Sequence, residues 1–200
     1  MSNKVLLVDE HPIIRLALAN WLEANGLKVV AETGKGIEAM QLMYKHEPDL
    51  LVLEIDIPDL NGFVIIERIK LLELPIKIVV FSAQDSRLSI IDCAQVGACG
   101  FVSKTQDPDV LLKAIRTVQA GQKFFPAWMQ SMQHVAVSND PMERLSWRER
   151  QVVQLLKQGF SNRQIADRMQ LSSKTISTFK TRSLKKLNAN SLVELVNRIK

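Results

Sequence analysis

Five strand-length apolar runs, each separated from the next by a segment of helical spacing, occupy the first 120 residues of this chain. They are VLLV at 5–8, LKVVA at 27–31, LLVLE at 50–54, IKIVVF at 76–81 and CGFV at 99–102. A strand wetted on one face alternates apolar with polar residues, whereas an unbroken apolar run is buried on both faces, as in a parallel sheet covered by helices. The intervening segments, at about 12–25, 35–46, 63–72, 86–96 and 108–120, supply those helices. In the first of them Leu18, Trp21 and Leu22 follow helical spacing and are expected in the core. Strand and helix alternating five times predicts a doubly wound α/β domain. Ligands and chemistry in such sheets gather at the carboxyl ends of the strands. Those ends are where a site is sought.

After Gly121 the pattern changes. Residues 122–142 hold two prolines and a Ser-Asn-Asp cluster, which predicts a linker with one short helix and no strand. From Leu145 onward no β pattern remains, and helices are expected at about 147–157, 161–169, 173–187 and 191–199. Gly159 is placed to stop the first, while Ser161, Ser172 and either Asn190 or Ser191 are placed to cap the others. The expected organisation is an α/β domain over 1–121, a linker over 122–142 and an all-α four-helix domain over 143–200.

Charge divides the same way. Met1–Pro126 carries 13 Lys and Arg against 16 Asp and Glu, net −3, and Ala127–Lys200 carries 13 against 5, net +8. Such a split points to a polyanion partner for the second half and a different task for the first. With 46% apolar and 24% charged residues the chain can bury proper cores. Its longest apolar stretches fall well short of the roughly 20 residues that span a bilayer. The start, MSNKVLLVDEH, lacks the long apolar region of a secretory signal. A cytoplasmic protein with no membrane partner is therefore expected, with Cys93 and Cys99 as two buried thiols. No Gly-rich phosphate loop, Ser-His-Asp order or zinc spacing is present, so an enzyme is not expected.

At the strand ends stand Asp9 and Glu10, Glu54 with Asp56, Ser82, and Ser103 with Lys104. Crowded carboxylates need a cation, and a lysine or a hard divalent ion such as Mg²⁺ suits them. A solvated acidic rim explains the residue types alone equally well. His11, ahead of Pro12, is expected to cap or pack.

The order and spacing of VLLVDEHP, PDLLVLEIDIPDLNG, VVFSA and GACGFVSK resemble the receiver domain of two-component response regulators over roughly 1–121. The resemblance implies a five-stranded parallel sheet with five flanking helices. It also implies an Asp four residues before the third-strand Pro that takes a phosphoryl group from a sensor histidine kinase. Carried over, Asp9, Glu10, the acceptor position and, through its backbone carbonyl, Asp56 are the Mg²⁺ set, Ser82 and Lys104 hold phosphoryl oxygens, and Phe101 is the aromatic that rotates on activation.

The acceptor position is where this chain departs, because four residues before Pro58 stands Glu54. Its extra methylene moves the carboxylate forward by about 1 Å, and a misplacement of that order costs roughly 100-fold in a positioned reaction. It also sets negative charge nearer Ser82 and Lys104, imitating phosphoaspartate with charge −1 in place of about −1.5 to −2. A receiver biased to its active arrangement without a kinase is the favoured expectation. Simple loss of switching, and residual phosphorylation at Glu54 or Asp56, stay open beside it.

In the basic half, LSWRERQVVQLLKQGFSNRQIADRMQLSSKTISTFKTRSLKKL holds two helices joined by a short turn. Ile165, Ala166 and Met169 stripe the first, and Ile176, Phe179, Ser183 and Leu187 the second; both should pack on Val152, Val153 and Leu156. The opposite face of the second carries small hydroxyl residues among Lys174, Lys180, Arg182, Lys185 and Lys186, with no acid between Asp167 and Glu194. Small polar residues approach base edges while long cations reach phosphates, so double-stranded DNA is the expected partner.

This segment, about 143–199, resembles the helix-turn-helix domain of LuxR and NarL type regulators. Receiver and helix-turn-helix together resemble the NarL/FixJ family over nearly the whole chain, most of all regulators of the BvgA and EvgA type. By motif position Ser177, Thr178 and Thr181 read bases, and Lys174, Lys180, Arg182 and Lys185 touch phosphates. In the last helix Leu192, Leu195, Val196 and Ile199 either close the domain core or pair with a second copy, and the resemblance favours a homodimer. The leading expectation is a phosphorylation-independent DNA-binding transcription regulator. A conventional kinase-fed regulator, and a receiver gated by a protein or small ligand, are the alternatives.

Overall fold

In the computed structural model, which describes residues 3–131, 141–191 and 193–195, the chain divides into two compact units, Met1–Gln133 and His134–Lys200. The first is a parallel sheet of β1 (Lys4–Val8), β2 (Lys28–Thr33), β3 (Leu50–Leu53), β4 (Lys77–Ser82) and β5 (Gly100–Ser103), in the spatial order β2-β1-β3-β4-β5. Between and after the strands run α1 (Pro12–Ala24), α2 (Gly36–His46), α3 (Gly62–Leu71), α4 (Arg87–Val96) and α5 (Pro108–Gln119). The strand order turns back between β1 and β3, which opens a crevice at their carboxyl ends.

Four strands are buried as the unbroken apolar runs require, but β2 is not. It is an edge strand whose Lys28 and Glu32 face water. Leu18 and Leu22 of α1 and Leu111 and Ile115 of α5 bury against β1, β3 and β4 through Val5, Val52 and Val79, with Trp21 half-buried beside them. Each such leucine contributes about 1.5–3 kcal/mol of burial. Cys93 is buried and Cys99 only half so.

Residues beyond α5 depart from the expected strandless linker. Phe124 makes a parallel bridge to Gly100, and a short helix α6 (Ala127–Ser131) follows, both within the first unit. Long-range pairing of this kind leaves no periodicity in a short segment to be read.

After a 3₁₀ turn at Pro141–Arg144, the second unit consists of α7 (Trp147–Lys157), α8 (Asn162–Met169) and α9 (Ser173–Lys186). Ser146 with Glu149 and Ser161 with Gln164 form complete capping boxes, and Ser172 caps α9 through the Thr175 N–H at 3.0 Å. Gly159 lies just past α7 in the left-handed region, at φ 88°. Val152, Leu156, Ile165, Ala166 and Ile176 form one core, and Leu145, Val153, Leu187, Ala189 and Leu195 another. Residues 193–195 are helical; Ser191 rather than Asn190 supplies their cap, accepting from the Glu194 N–H at 3.1 Å. Leu195 closes the core, while Leu192, Val196 and Ile199 lie outside the described residues. Among the described residues no helix is long and apolar enough to cross a membrane.

Candidate functional site

Parallel pairing continues one residue past the strands and lines up the site. The Asp9 N–H donates to the Thr33 carbonyl at 3.1 Å, Glu54 N–H to Val8 at 2.8 Å, and Lys104 N–H to Ser82 at 2.9 Å. Asp9, Glu54, Ser82 and Lys104 therefore stand side by side across β1, β3, β4 and β5, and Asp9, Glu54 and Ser82 are almost wholly buried.

Glu54 uses its extra methylene to reach across the crevice. Its Oε1 accepts from the Ser82 hydroxyl, from the Ile55 N–H at 2.6 Å and from the Asp56 N–H at 3.3 Å. Its Oε2 accepts from the Ala83 N–H at 3.3 Å and lies 2.8 Å from Lys104 Nζ. Three backbone amides, a hydroxyl and an ammonium on one carboxylate satisfy a charge that would otherwise cost several kcal/mol to bury. Lys104 Nζ is also 2.5 Å from Asp9 Oδ2, so one ammonium bridges two buried carboxylates. Burial opposes its charge, but hydrogen bonds to Asp9 and Glu54 and the attraction of both carboxylates outweigh that and hold Lys104 above the ordinary lysine value.

The other carboxylates do not join them. Glu10 is partly exposed, its Oε1 3.8 Å from His11 Nε2, and the Asp56 side chain faces water. His11 makes no cap bond; its Nδ1 lies 3.2 Å from Asp9 Oδ1, which also accepts the His11 N–H at 2.9 Å. Of the expected set, Asp9 and Glu54 stand together on Lys104, and the Glu10 and Asp56 side chains are exposed. Among the described residues no three metal-binding side chains gather. Phe101 is buried, its N–H donating to Phe124. Sequence reasoning missed Arg15, whose Nη1 donates to the Asp9 carbonyl at 2.7 Å, and Asp85, which accepts from Ser103 Oγ at 2.7 Å. Neither stood out in the sequence: Arg15 reaches back from α1 to the end of β1, and Asp85 reaches from the loop after β4 to the end of β5.

In the second unit α8 and α9 are joined by Gln170, Leu171 and Ser172, with Gln170 left-handed at φ 53°. Ile176 and Ser183 bury one face of α9, the Ser183 hydroxyl donating to its own helix at Phe179. Lys174, Ser177, Thr178, Thr181, Arg182 and Lys185 are exposed on the other face, and Lys180 is half-buried at the edge. Thr178 and Thr181 donate their hydroxyls to the Lys174 and Ser177 carbonyls at 3.0 Å, which leaves oxygen lone pairs and methyl groups outward. Ser177 accepts from Asn162 of α8 at 3.1 Å, and Lys186 is held 2.7 Å from buried Glu149. Lys186 therefore belongs to the fold, and four cations remain on the face.

Comparison with known proteins matches residues 5–116 to the response regulator receiver domain and 143–199 to the bacterial regulatory proteins of the luxR family. The virulence-factor transcription regulator BvgA of Bordetella pertussis is 41% identical over 201 residues, 98% of this chain and 96% of that one. The DNA-binding transcriptional activator EvgA of Escherichia coli K12 is 31% identical over 191 residues, 95% and 94% of the two chains. A structure of two RcsB dimers bound to two parallel DNAs superposes with a TM-score of 0.64 at 25% identity, covering 100% of this chain and 98% of that one.

Proposed function

This chain belongs to the LuxR-type response regulators, transcription regulators that join a receiver to a DNA-binding helix-turn-helix domain, and from that membership we propose that its receiver works without a phosphoryl group, Glu54 serving as a permanent anion in the phosphoryl pocket. One observation carries the reading: the Glu54 carboxylate engages Ser82, the Ala83 N–H and Lys104 together. Ser82 and Lys104 are the donors that the family directs at phosphoryl oxygens. A carboxylate that already fills them leaves an incoming phosphoryl group no partners.

Receiver domains typically bind Mg²⁺ beside this pocket. The carboxylates here do not fit it as they stand, because Lys104 takes up the charge of Asp9 and Glu54 while the Glu10 side chain is exposed, and among the described residues no three metal-binding side chains gather. Lys104 supplies the positive charge, and no sensor kinase is required.

On DNA, α9 enters the major groove as a second copy binds the other half of an inverted repeat, in line with the RcsB dimers on DNA. Thr178 and Thr181 offer acceptors to amino groups of adenine or cytosine and methyls to thymine, with Ser177 beside them. Lys174, Lys180, Arg182 and Lys185 hold phosphates. Incubation with a small-molecule phosphodonor and Mg²⁺, read by intact-mass spectrometry, tests the receiver half of the proposal. Unmodified protein is expected, and a stoichiometric acyl phosphate at Glu54 or Asp56 would overturn it.

A further inference from the structure

The segment after α5 is fastened to the receiver at two points. Beside β5, the Phe101 N–H donates to the Phe124 carbonyl at 2.8 Å and the Phe124 N–H to Cys99 at 3.0 Å. Gly100 permits that approach, since a Cβ there would sit 3.1 Å from the Phe124 carbonyl oxygen. At the first turn of α4, the Arg87 guanidinium lies 4.9 Å from the ring centroid of half-buried Trp128 in α6. Beyond α6 the chain runs through residues 132–140 to the DNA-reading unit.

The first turn of α4 in turn hangs from the pocket. Ala83 and Ser82 donate to Glu54, the Gln84 N–H donates to Ser82 Oγ at 3.0 Å, and the Asp85 N–H donates to the Ala83 carbonyl at 3.1 Å. Asp85 is tied to Ser103, and Ser86 caps α4 through the Ser89 N–H at 3.2 Å. Each of residues 83–86 thus carries a hydrogen bond, from the Ala83 N–H on Glu54 to the Ser86 cap of α4, whose first residue is Arg87. A carboxylate that withdraws from Ala83 removes the bond that ties this loop to β3, and through the loop loosens the guanidinium over Trp128.

We propose that Arg87 and Trp128 form a latch by which the Glu54 carboxylate, through residues 83–86, holds α6 on the receiver. The inference rests on the reading of Glu54 as a built-in anion and deepens it. A cation–π contact at a partly exposed site biases such a docking equilibrium about two- to fivefold.

Acrylamide quenching of Trp128, isolated by subtracting each protein's Trp128→Phe counterpart, tests the latch in the full-length chain. Glu54→Asp, which keeps the charge but draws it back from Ala83, is expected to raise Trp128 accessibility, and Arg87→Ala to raise it equally. The double variant should show no further rise, and Arg87→Lys should restore part of the protection. Circular dichroism confirms that each variant is folded. Unchanged quenching in Glu54→Asp, additive effects in the double variant, or no difference between Arg87→Lys and Arg87→Ala overturns the latch. DNA binding by untreated wild-type protein, measured alongside, decides the built-in anion separately: binding only after phosphodonor treatment defeats that reading, whatever Trp128 does.

Discussion

Replacing Lys104 by Met removes the only ammonium that faces two buried carboxylates in the described residues. The Asp9 and Glu54 side chains are 2% and 4% exposed, so neither can recruit much water in compensation. Stripping one partner from a buried ion pair typically costs about 3–5 kcal/mol, because a charge is left uncompensated. Here two carboxylates lose their partner, yet Glu54 keeps three amides and a hydroxyl and Asp9 keeps the His11 N–H. The expected loss is therefore at the lower end, about 3 kcal/mol. Urea unfolding of the receiver transition, followed by Trp21 emission, reads it directly. Adding Glu54→Gln to Lys104→Met removes one orphaned charge and should recover at least about 1 kcal/mol, a coupling that a double-mutant cycle isolates. A loss below about 1 kcal/mol for Lys104→Met, or strict additivity in the cycle, would refute the electrostatic reasoning.

Three further outcomes follow from the same geometry. Folding raises the proton affinity of Lys104, so its stabilisation is complete below the ordinary lysine value of about 10.4 and is lost as pH climbs through the still higher folded value; an alkaline unfolding titration should show wild-type stability falling there more steeply than that of Lys104→Met. Gly36→Ala would set a Cβ 2.1 Å from the Leu60 carbonyl oxygen and should cost about 1–3 kcal/mol in the receiver transition, with no change in the second unit's unfolding. With Lys186 bound to Glu149, four cations remain on α9, and log affinity should fall with log salt at a slope of about −3.6 per subunit. In the same titrations Lys185→Ala should weaken all sequences alike and Thr178→Ala should change sequence preference; equal losses on specific and random DNA for Thr178→Ala would contradict its assignment.

How much of this was legible in the residues varies with the range of the interaction. The five strands and the helices are visible because burial on two faces and amphipathic spacing are local properties, and the Ser caps at 161, 172 and 191 are equally local. β2 misled because VVA reads as buried whether its neighbours lie on both sides or one, and only the sheet order makes it an edge. Phe124 gave no signal, since its partner Gly100 is chosen by tertiary approach and not by pattern. The departure at Glu54 was legible as an identity, but its reach to Ala83 depends on the register of β3 against β4. Lys186 looked like a DNA-facing cation because its partner Glu149 stands 37 residues earlier. The exposure of the Glu10 and Asp56 side chains could not be read either, because strand-end loops are aimed by packing that composition does not encode.

Binding to operator DNA, compared for wild type and Glu54→Asp with and without a small-molecule phosphodonor, tests the built-in anion most directly. The account predicts tight specific binding by untreated wild-type protein that the phosphodonor leaves unchanged. It also predicts weaker binding by untreated Glu54→Asp that the phosphodonor strengthens. Wild-type protein that binds specifically only after phosphodonor treatment would contradict it.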